Sequence, residues 1–255
     1  MIYRNTLLLI TLYFISFTLS SQDIWSPLES MKIKSISQTE ISNDGKSVAY
    51  VVREPIMEGK KSEYLSQIWV TDIESKENIQ YTFNQKSSSS PKFSPDGKKI
   101  AFLSSRSGKN QVWIINTLGG EARMLTKEKK GIRSIKWSPD GKTISFLKSD
   151  DDTEDEIKSK ENKTDVILVD KNFKYSHIYS YHLDDDTVTQ VTSGNYSVNS
   201  FDYSPNGKKI IFSHQEDTNI NTGFINTDIS VIDSDGKNLR LLVDRPGRDG
   251  NPIFS

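Results

Sequence analysis

The sequence predicts an all-β fold, a β-propeller of four-stranded antiparallel blades, and three observations carry that prediction. First, a turn motif recurs as Phe93-Ser94-Pro95-Asp96-Gly97-Lys98, Trp137-Ser138-Pro139-Asp140-Gly141-Lys142 and Tyr203-Ser204-Pro205-Asn206-Gly207-Lys208, with a weaker copy, Ile41-Ser42-Asn43-Asp44-Gly45-Lys46, that lacks the proline. Second, the spacing between landmarks is constant. Trp69 to Thr82, Trp113 to Thr126, Tyr179 to Thr192 and Ser230 to Val243 are each a step of 13, and Thr82 to Gly97, Thr126 to Gly141 and Thr192 to Gly207 are each a step of 15. Third, all length variation is confined to one segment, between the turn glycine and the next landmark, which runs 24, 16, 38 and 23 residues. A repeat of this size is the signature of stacked blades, each hiding its apolar faces against its neighbours. A β-sandwich would not account for the constant steps.

The turn motif has a physical reading. Proline presets φ for the second position of a type I turn, aspartate hydrogen-bonds the local backbone, and glycine accepts the left-handed conformation that opens the return strand. An apolar run such as Ile100-Ala101-Phe102-Leu103 then reads as a buried strand.

The elements follow in order. A lead-in from Asp23 to about Lys34 carries Trp25 and Pro27-Leu28 as packing anchors. Blade one, about 35–83, takes strands near 35–42, 47–53, 67–72 and 78–83, and its insertion Glu54 to Tyr64, with Pro55 and Gly59, reads as loop. Blade two, about 90–126, takes strands near 90–94, 99–104, 111–116 and 121–126, with Leu118-Gly119-Gly120 as a hairpin turn. Blade three, about 131–192, holds the largest insertion, where Asp150-Asp151-Asp152-Thr153-Glu154-Asp155-Glu156 runs into Lys158, Lys160 and Lys163 as a mobile loop or frayed helix, before the chain regains order at Asp165-Val166-Ile167-Leu168-Val169-Asp170. Blade four spans about 197–243. A fifth begins at 249, where Asn251-Pro252-Ile253-Phe254-Ser255 reads as its first strand, so the ring is expected to be incomplete.

Composition bounds the function. A formal net charge of −1 with lysine spread along the chain gives no nucleic-acid footprint. At the N-terminus Arg4 precedes an apolar run from Leu7 to Leu19, followed by Ser20 and Ser21, the three-part form of a signal peptide over residues 1–21, leaving 22–255 as the propeller. The rival reading, an uncleaved anchor, is disfavoured because spanning needs roughly 20 apolar residues. The chain has no cysteine, which excludes disulfides and an N-terminal lipid-modified cysteine. Export to the periplasm or beyond is the expectation.

No motif supplies catalytic chemistry. Gly45-Lys46-Ser47 and Gly141-Lys142-Thr143 resemble the end of a phosphate loop, but Glu40 and Lys136 stand where its first glycine belongs. The acidic run from Asp150 and the triplet Asp184-Asp185-Asp186 lack the spaced ligands of a calcium loop. His177, His182 and His214 have no partners at metal or general-base spacing, and no Gly-x-Ser-x-Gly occurs. Trp69, Trp113 and Tyr179 occupy equivalent strand positions and read as blade packing. Asn162-Lys163-Thr164 and Asn195-Tyr196-Ser197 fit the glycosylation pattern, which matters only in a glycosylating host. No catalytic, cofactor-binding or metal residue is assigned.

The repeated aromatic-Ser-Pro-Asp-Gly-Lys units resemble the propeller repeats of TolB-type proteins and of prolyl oligopeptidase family serine peptidases. Tyr50-Val51-Val52-Arg53-Glu54-Pro55 with Lys61-Ser62-Glu63-Tyr64, Phe102-Leu103-Ser104-Ser105-Arg106, Asp165 to His177, and Arg245-Pro246-Gly247-Arg248-Asp249 are similar to exported dipeptidyl-peptidase and acylaminoacyl-peptidase members of the latter. That resemblance implies a propeller capping an α/β-hydrolase domain that carries the Ser-Asp-His triad and that this sequence does not contain. It implies a substrate-gating role, inactive by itself, with peptide substrates met through the hydrolase domain. The alternative is a free-standing TolB-type interaction module whose blade loops bind a protein; a propeller enzyme with a channel metal is the weakest reading, since acidic residues do not recur at equivalent strand ends.

Overall fold

The computed structural model describes residues 26–58, 61–164, 173–217 and 225–254. The chain divides into a unit ending at Ile33 and a second unit from Lys34 onward. In the first, helix α1 (Pro27–Met31) is capped by Ser26, whose Oγ accepts from Glu29 N at 3.2 Å. Leu28 stays 50% exposed, so it is not the packing anchor that the sequence suggested; Trp25 lies outside the described residues.

Among its described residues the second unit holds four sheets, each with four antiparallel strands in sequence order, the last of which gains a short parallel fifth strand off that path. Blade one is β1 (Ser35–Ile41), β2 (Ser47–Glu58), β3 (Lys61–Asp72) and β4 (Asn78–Gln80); blade two is β5 (Ser88–Phe93), β6 (Lys99–Ser104), β7 (Gln111–Asn116) and β8 (Arg123–Met124). Blade three is β9 (Ile132–Trp137), β10 (Thr143–Ser149), β11 (Ser176–His182) and β12 (Val188–Gln190), and blade four is β13 (Ser197–Tyr203), β14 (Lys209–Gln215), β15 (Asn226–Asp233) and β16 (Arg240–Val243).

The core lies between blades. On β6, Ile100 and Phe102 pack with Ala49, Val51, Ile68 and Val70 of blade one, while Ala101 and Leu103 pack with Ile132, Ile135, Ile144 and Phe146 of blade three. The next seam joins Leu147, Ile178 and Val191 to Val198, Phe201, Ile210 and Phe212. A strand buried on both faces must read as a continuous apolar run, as the sequence does here. Phe102, Phe146 and Phe212, five residues past their turn glycines, are wholly buried.

The turns tie each sheet to itself and to the next. In all four, the glycine N–H donates to the serine carbonyl at 2.8 to 2.9 Å. The buried serine hydroxyl donates to Asp44, Asp96 and Asp140 Oδ1 at 2.6 Å, and accepts from the N–H five residues on at 2.9 Å. That hydroxyl, before the backbone amide that also reaches the carboxylate, holds Asp44 and Asp96 below the usual carboxylate range; for Asp140 the hydroxyl again acts first and outweighs burial. Gly141 and Gly207 take φ of +71° and +69°, and a Cβ there would lie 3.5 Å from Pro95 Cδ and 3.4 Å from Pro139 Cδ. Each proline therefore rests on the glycine of the following turn. Where the weak copy lacks proline, Asn43 Nδ2 instead donates to the Pro95 carbonyl at 2.9 Å.

The constant step of 13 also has a cause. Thr82, Thr126 and Thr192 are buried, and each Oγ1 accepts from a third-strand amide, Ile68, Val112 or Ile178, at 2.9 Å. The hydroxyl holds the chain leaving the fourth strand against the third.

On the first strands of the blades Lys92 pairs with Glu40 and Lys136 with Asp202, at 2.5 and 2.6 Å, across the first and third seams. Trp137 Nε1 donates to the Lys92 carbonyl at 3.0 Å across the second. These strands are bulged: Gln38, Ser90 and Ser134, each three residues before the motif's aromatic or apolar position, have φ of +53°, +53° and +51°.

Two expectations are corrected. The stretch Glu54 to Tyr64 is not loop: β2 and β3 pair from Ser47↔Asp72 out to Glu58↔Lys61. Pro55 is tolerated because pairing with β1 ends at Ser35↔Arg53, so beyond it β2 has one neighbour rather than two; Arg53 seats its guanidinium 3.7 Å above the Tyr64 ring. The expected fifth-blade strand forms no ladder among residues 249–254. A first strand pairs only with the second strand of its own blade, and none is described. Even so, Asn251, three residues before Phe254, has the bulge φ of +51°, Phe254 N reaches Asp202 Oδ2 at 3.4 Å, and β17 (Gly247–Arg248) pairs in parallel with β15.

Ser138→Ala leaves the Thr143 amide without its acceptor and should lower stability by about 1–2 kcal/mol, whereas Phe146→Ala, opening a cavity in a seam, should cost about 3–5 kcal/mol; urea unfolding of both variants measures the difference. Because the turn aspartates titrate below their normal range when folded, the stability they add is complete above an unfolded pKa of about 3.9 and is lost as pH falls below it. Urea midpoints should therefore drop toward pH 3, and less steeply for Asp140→Asn.

Candidate functional site

An antiparallel meander gives the blades two unlike rims. One carries the Ser-Pro-Asp-Gly turns and the tight turns between third and fourth strands. The other carries the second-to-third-strand connections, where all the length variation sits. Recognition concentrates on variable loops held by a rigid scaffold, so the second rim is the candidate interaction face.

Two built features stand on it. In blade one, β2 and β3, of 12 residues each, run on as a hairpin past the rest of the sheet. In blade three, the acidic run becomes helix α2 (Glu154–Glu161), closed by a capping box: Thr153 Oγ1 accepts from Glu156 N at 3.3 Å and Glu156 Oε2 accepts from Thr153 N at 2.7 Å. The helix buries no residue, so caps and ion pairs hold it.

Those pairs form one network. Asp152 bridges Lys130 at 2.8 Å and Lys160 at 3.0 Å, and the two ammonium groups hold its carboxyl down at about 2. Lys174 Nζ reaches Glu156 Oε2 at 2.6 Å and the Asp151 carbonyl at 3.0 Å, and Asp150 Oδ2 accepts from Tyr175 N at 3.0 Å. Beneath them Lys148, its side chain 7% exposed, meets Glu128 at 2.8 Å, Asp151 at 3.5 Å and the Tyr179 ring at 4.5 Å. Burial acts against its charge, but the Glu128 hydrogen bond and the surrounding carboxylates outweigh it and raise its pKa. The described part of the insertion is thus docked on its blade. The expected ordered stretch Asp165 to Asp170 lies outside the described residues.

The other singled-out residues have structural places. Gly45-Lys46 and Gly141-Lys142 are hairpin turns. Asp185 accepts from Thr187 N and Oγ1, at 3.2 and 2.7 Å, and Asp186 receives the Tyr181 hydroxyl, so the triplet stabilises its own turn. Trp113 packs on the blade-one seam beneath the Arg106 guanidinium, 4.4 Å from its ring, and Tyr179 stacks on Phe146 at 6.0 Å; Trp69 is half-buried on β3. Among the described residues no group of three or more His, Asp or Glu is placed to hold a metal, and no helix is long and apolar enough to cross a membrane.

One juxtaposition looks catalytic and is not. His214 Nε2 lies 2.8 Å from Ser230 Oγ with Asp228 nearby, but Ser230 is 3% exposed and His214 Nδ1 has no hydrogen-bond partner among the described residues. A nucleophile needs an accessible oxygen and an oriented base. Sequence reasoning missed the Glu128–Lys148 pair and the serine and threonine ties; the constant step of 13 was the signal for the threonines, and nothing local marked Lys148.

Residues 41–174 match the TolB beta propeller domain, over half of the chain. A peptidase of Bacillus subtilis strain 168, the uncharacterized peptidase YuxL, is 34% identical over 76 residues, which are 30% of this chain and 11% of that protein. The acylaminoacyl peptidase of Pyrococcus horikoshii superposes with a TM-score of 0.62 at 21% identity, covering 84% of this chain and 33% of that one. TolB of Acinetobacter baumannii does so with a TM-score of 0.57 at 19% identity, covering 85% and 45%. The chain therefore spans less than half the length of these solved relatives and shares its fold with both the TolB and the peptidase propellers. With its repeats, sheet order and seams accounted for, this chain belongs to the TolB beta propeller domain family.

Proposed function

We propose that the chain is the propeller portion of an exported serine peptidase of the prolyl oligopeptidase type, gating the access of short peptides to a separate α/β-hydrolase domain. The observation that carries this reading is the peptidase relative, at 34% identity over 76 residues. The fold likeness to acylaminoacyl peptidases and the rim with two built insertions support it. The propeller's part in such an enzyme is steric and positional: a rigid ring with a docked, charged rim excludes folded chains and admits extended ones. The proton transfers and the nucleophile belong to the hydrolase domain, since no accessible serine with an oriented base occurs among the described residues.

The second reading, a free-standing module whose blade loops bind another protein, is favoured by the TolB domain match itself. Export is part of both readings and rests on the apolar run from Leu7 to Leu19.

Reading the coding DNA beyond the Ser255 codon separates them. Further blades followed by a Gly-x-Ser-x-Gly are expected; a stop with no such continuation overturns the peptidase reading in favour of the binding module. Purified chain should leave peptide p-nitroanilides uncleaved, and serine-inhibitor-sensitive hydrolysis would refute the division of labour. Expressed with its own N-terminus in a Gram-negative host, the protein should appear in the periplasm with a mass beginning at Ser21 or Gln22.

A further inference from the structure

In blades one and two the third-strand residue just before the amide that bonds the threonine is a glutamine whose side-chain amide joins two groups. Gln67 and Gln111 Oε1 accept from the Thr82 and Thr126 hydroxyls at 2.5 and 2.8 Å, and their Nε2 groups donate to the carbonyls of Asn84 and Glu128, at 2.6 and 3.0 Å. Each carbonyl lies two residues past its threonine. Blade three puts His177 in this place, 3% exposed, with Nδ1 3.4 Å from Thr192 Oγ1, and the Gly194 carbonyl, again two residues past the threonine, faces the ring as a backbone acceptor.

A glutamine amide offers one acceptor and one donor at every pH; an imidazole does so only when neutral. Protonated, both ring nitrogens donate. The Thr192 hydroxyl then loses its acceptor, while its oxygen already takes the Ile178 amide at 2.9 Å.

The surroundings do little to hold a charged ring. Asp150 is the carboxylate acting on His177, and it already accepts from Tyr175 N. Lys148, the register partner across β10, is engaged by Glu128 and Asp151. The Tyr175 ring lies 6.5 Å away and Tyr196 meets His177 edge-on at 5.6 Å. Tyr196 in turn lies 6.1 Å from Phe212 and 5.1 Å from His214 of blade four, where Asp228 and Glu216 are the acidic neighbours of His214.

We propose that His177 makes the blade-three clamp pH-sensitive, so that proton uptake by its ring releases Thr192 and loosens the seam through Tyr196 to blade four, while the glutamine clamps of blades one and two stay closed.

The sign follows from burial, which pushes the His177 pKa below the ordinary histidine value despite Asp150 and the Gly194 carbonyl. The folded state thus takes up its proton at lower pH than the unfolded chain, so the clamp's stability is complete above about 6.5 and is lost as pH falls from there. His177→Gln, which installs the clamp of the other blades, tests the idea in the full chain. The wild type should lose several degrees of Tm between pH 7.5 and 5.0, and the variant should keep the neutral-pH Tm within about 2 °C while losing at most half as much on acidification. Amide-exchange protection at Ile178 should fall in acid for the wild type alone. A wild-type acid loss retained in His177→Gln, or removed by His214→Gln alone, overturns the proposal. An NMR titration of the wild type needs no variant: a His177 ring that titrates at or above the ordinary histidine value would equally overturn it.

Discussion

A four-stranded sheet that is apolar on both faces cannot stand in water alone, and everything else in this molecule follows from that constraint. The second strand of blade two sends Phe102 toward blade one and Leu103 toward blade three, so blades two and three each supply half of two cores, and blades one and four half of one. Burial of this kind is non-directional. It brings sheets together without fixing their register or angle, and the polar ties at the strand ends supply that geometry.

Those ties share one logic. A buried hydroxyl sits where two segments must meet and spends its donor and its acceptor on different partners. Ser94 joins its own turn to the return strand, and Thr126 joins the chain leaving the fourth strand to the third. A buried hydroxyl left half-satisfied would cost more than it adds, so each recurs with its partners as a set. Packing of Pro95 on Gly141 and Pro139 on Gly207 then passes the register from blade to blade, which is why the turn glycines serve both backbone conformation and close approach. Blade three departs from this set in using His177 for glutamine, on the same blade that carries the charged insertion.

Much of the fold was legible because its determinants are local. A type I turn is written in four residues, and two-sided burial is written as an apolar run, so the blades, their order and most strand limits follow from the chain. The hairpin Glu54 to Tyr64 was misread because Pro55 is a strand breaker only where its missing amide would have been needed, and whether a second neighbour exists is not a local property. The acidic run was legible as charge but not as a docked helix, since Lys130, Lys148 and Lys174 reach it from separate segments.

The sequence by itself determined the repeat, the turn chemistry, the apolar faces and the lack of a nucleophile motif, because each depends on residues within a few positions of one another. Only the tertiary structure decided that Trp137 bonds the neighbouring blade's backbone, that Lys148 is buried among carboxylates, and that His177 fills a glutamine's place. Those contacts join residues that are far apart in the chain, and they exist only once the hydrophobic seams have closed.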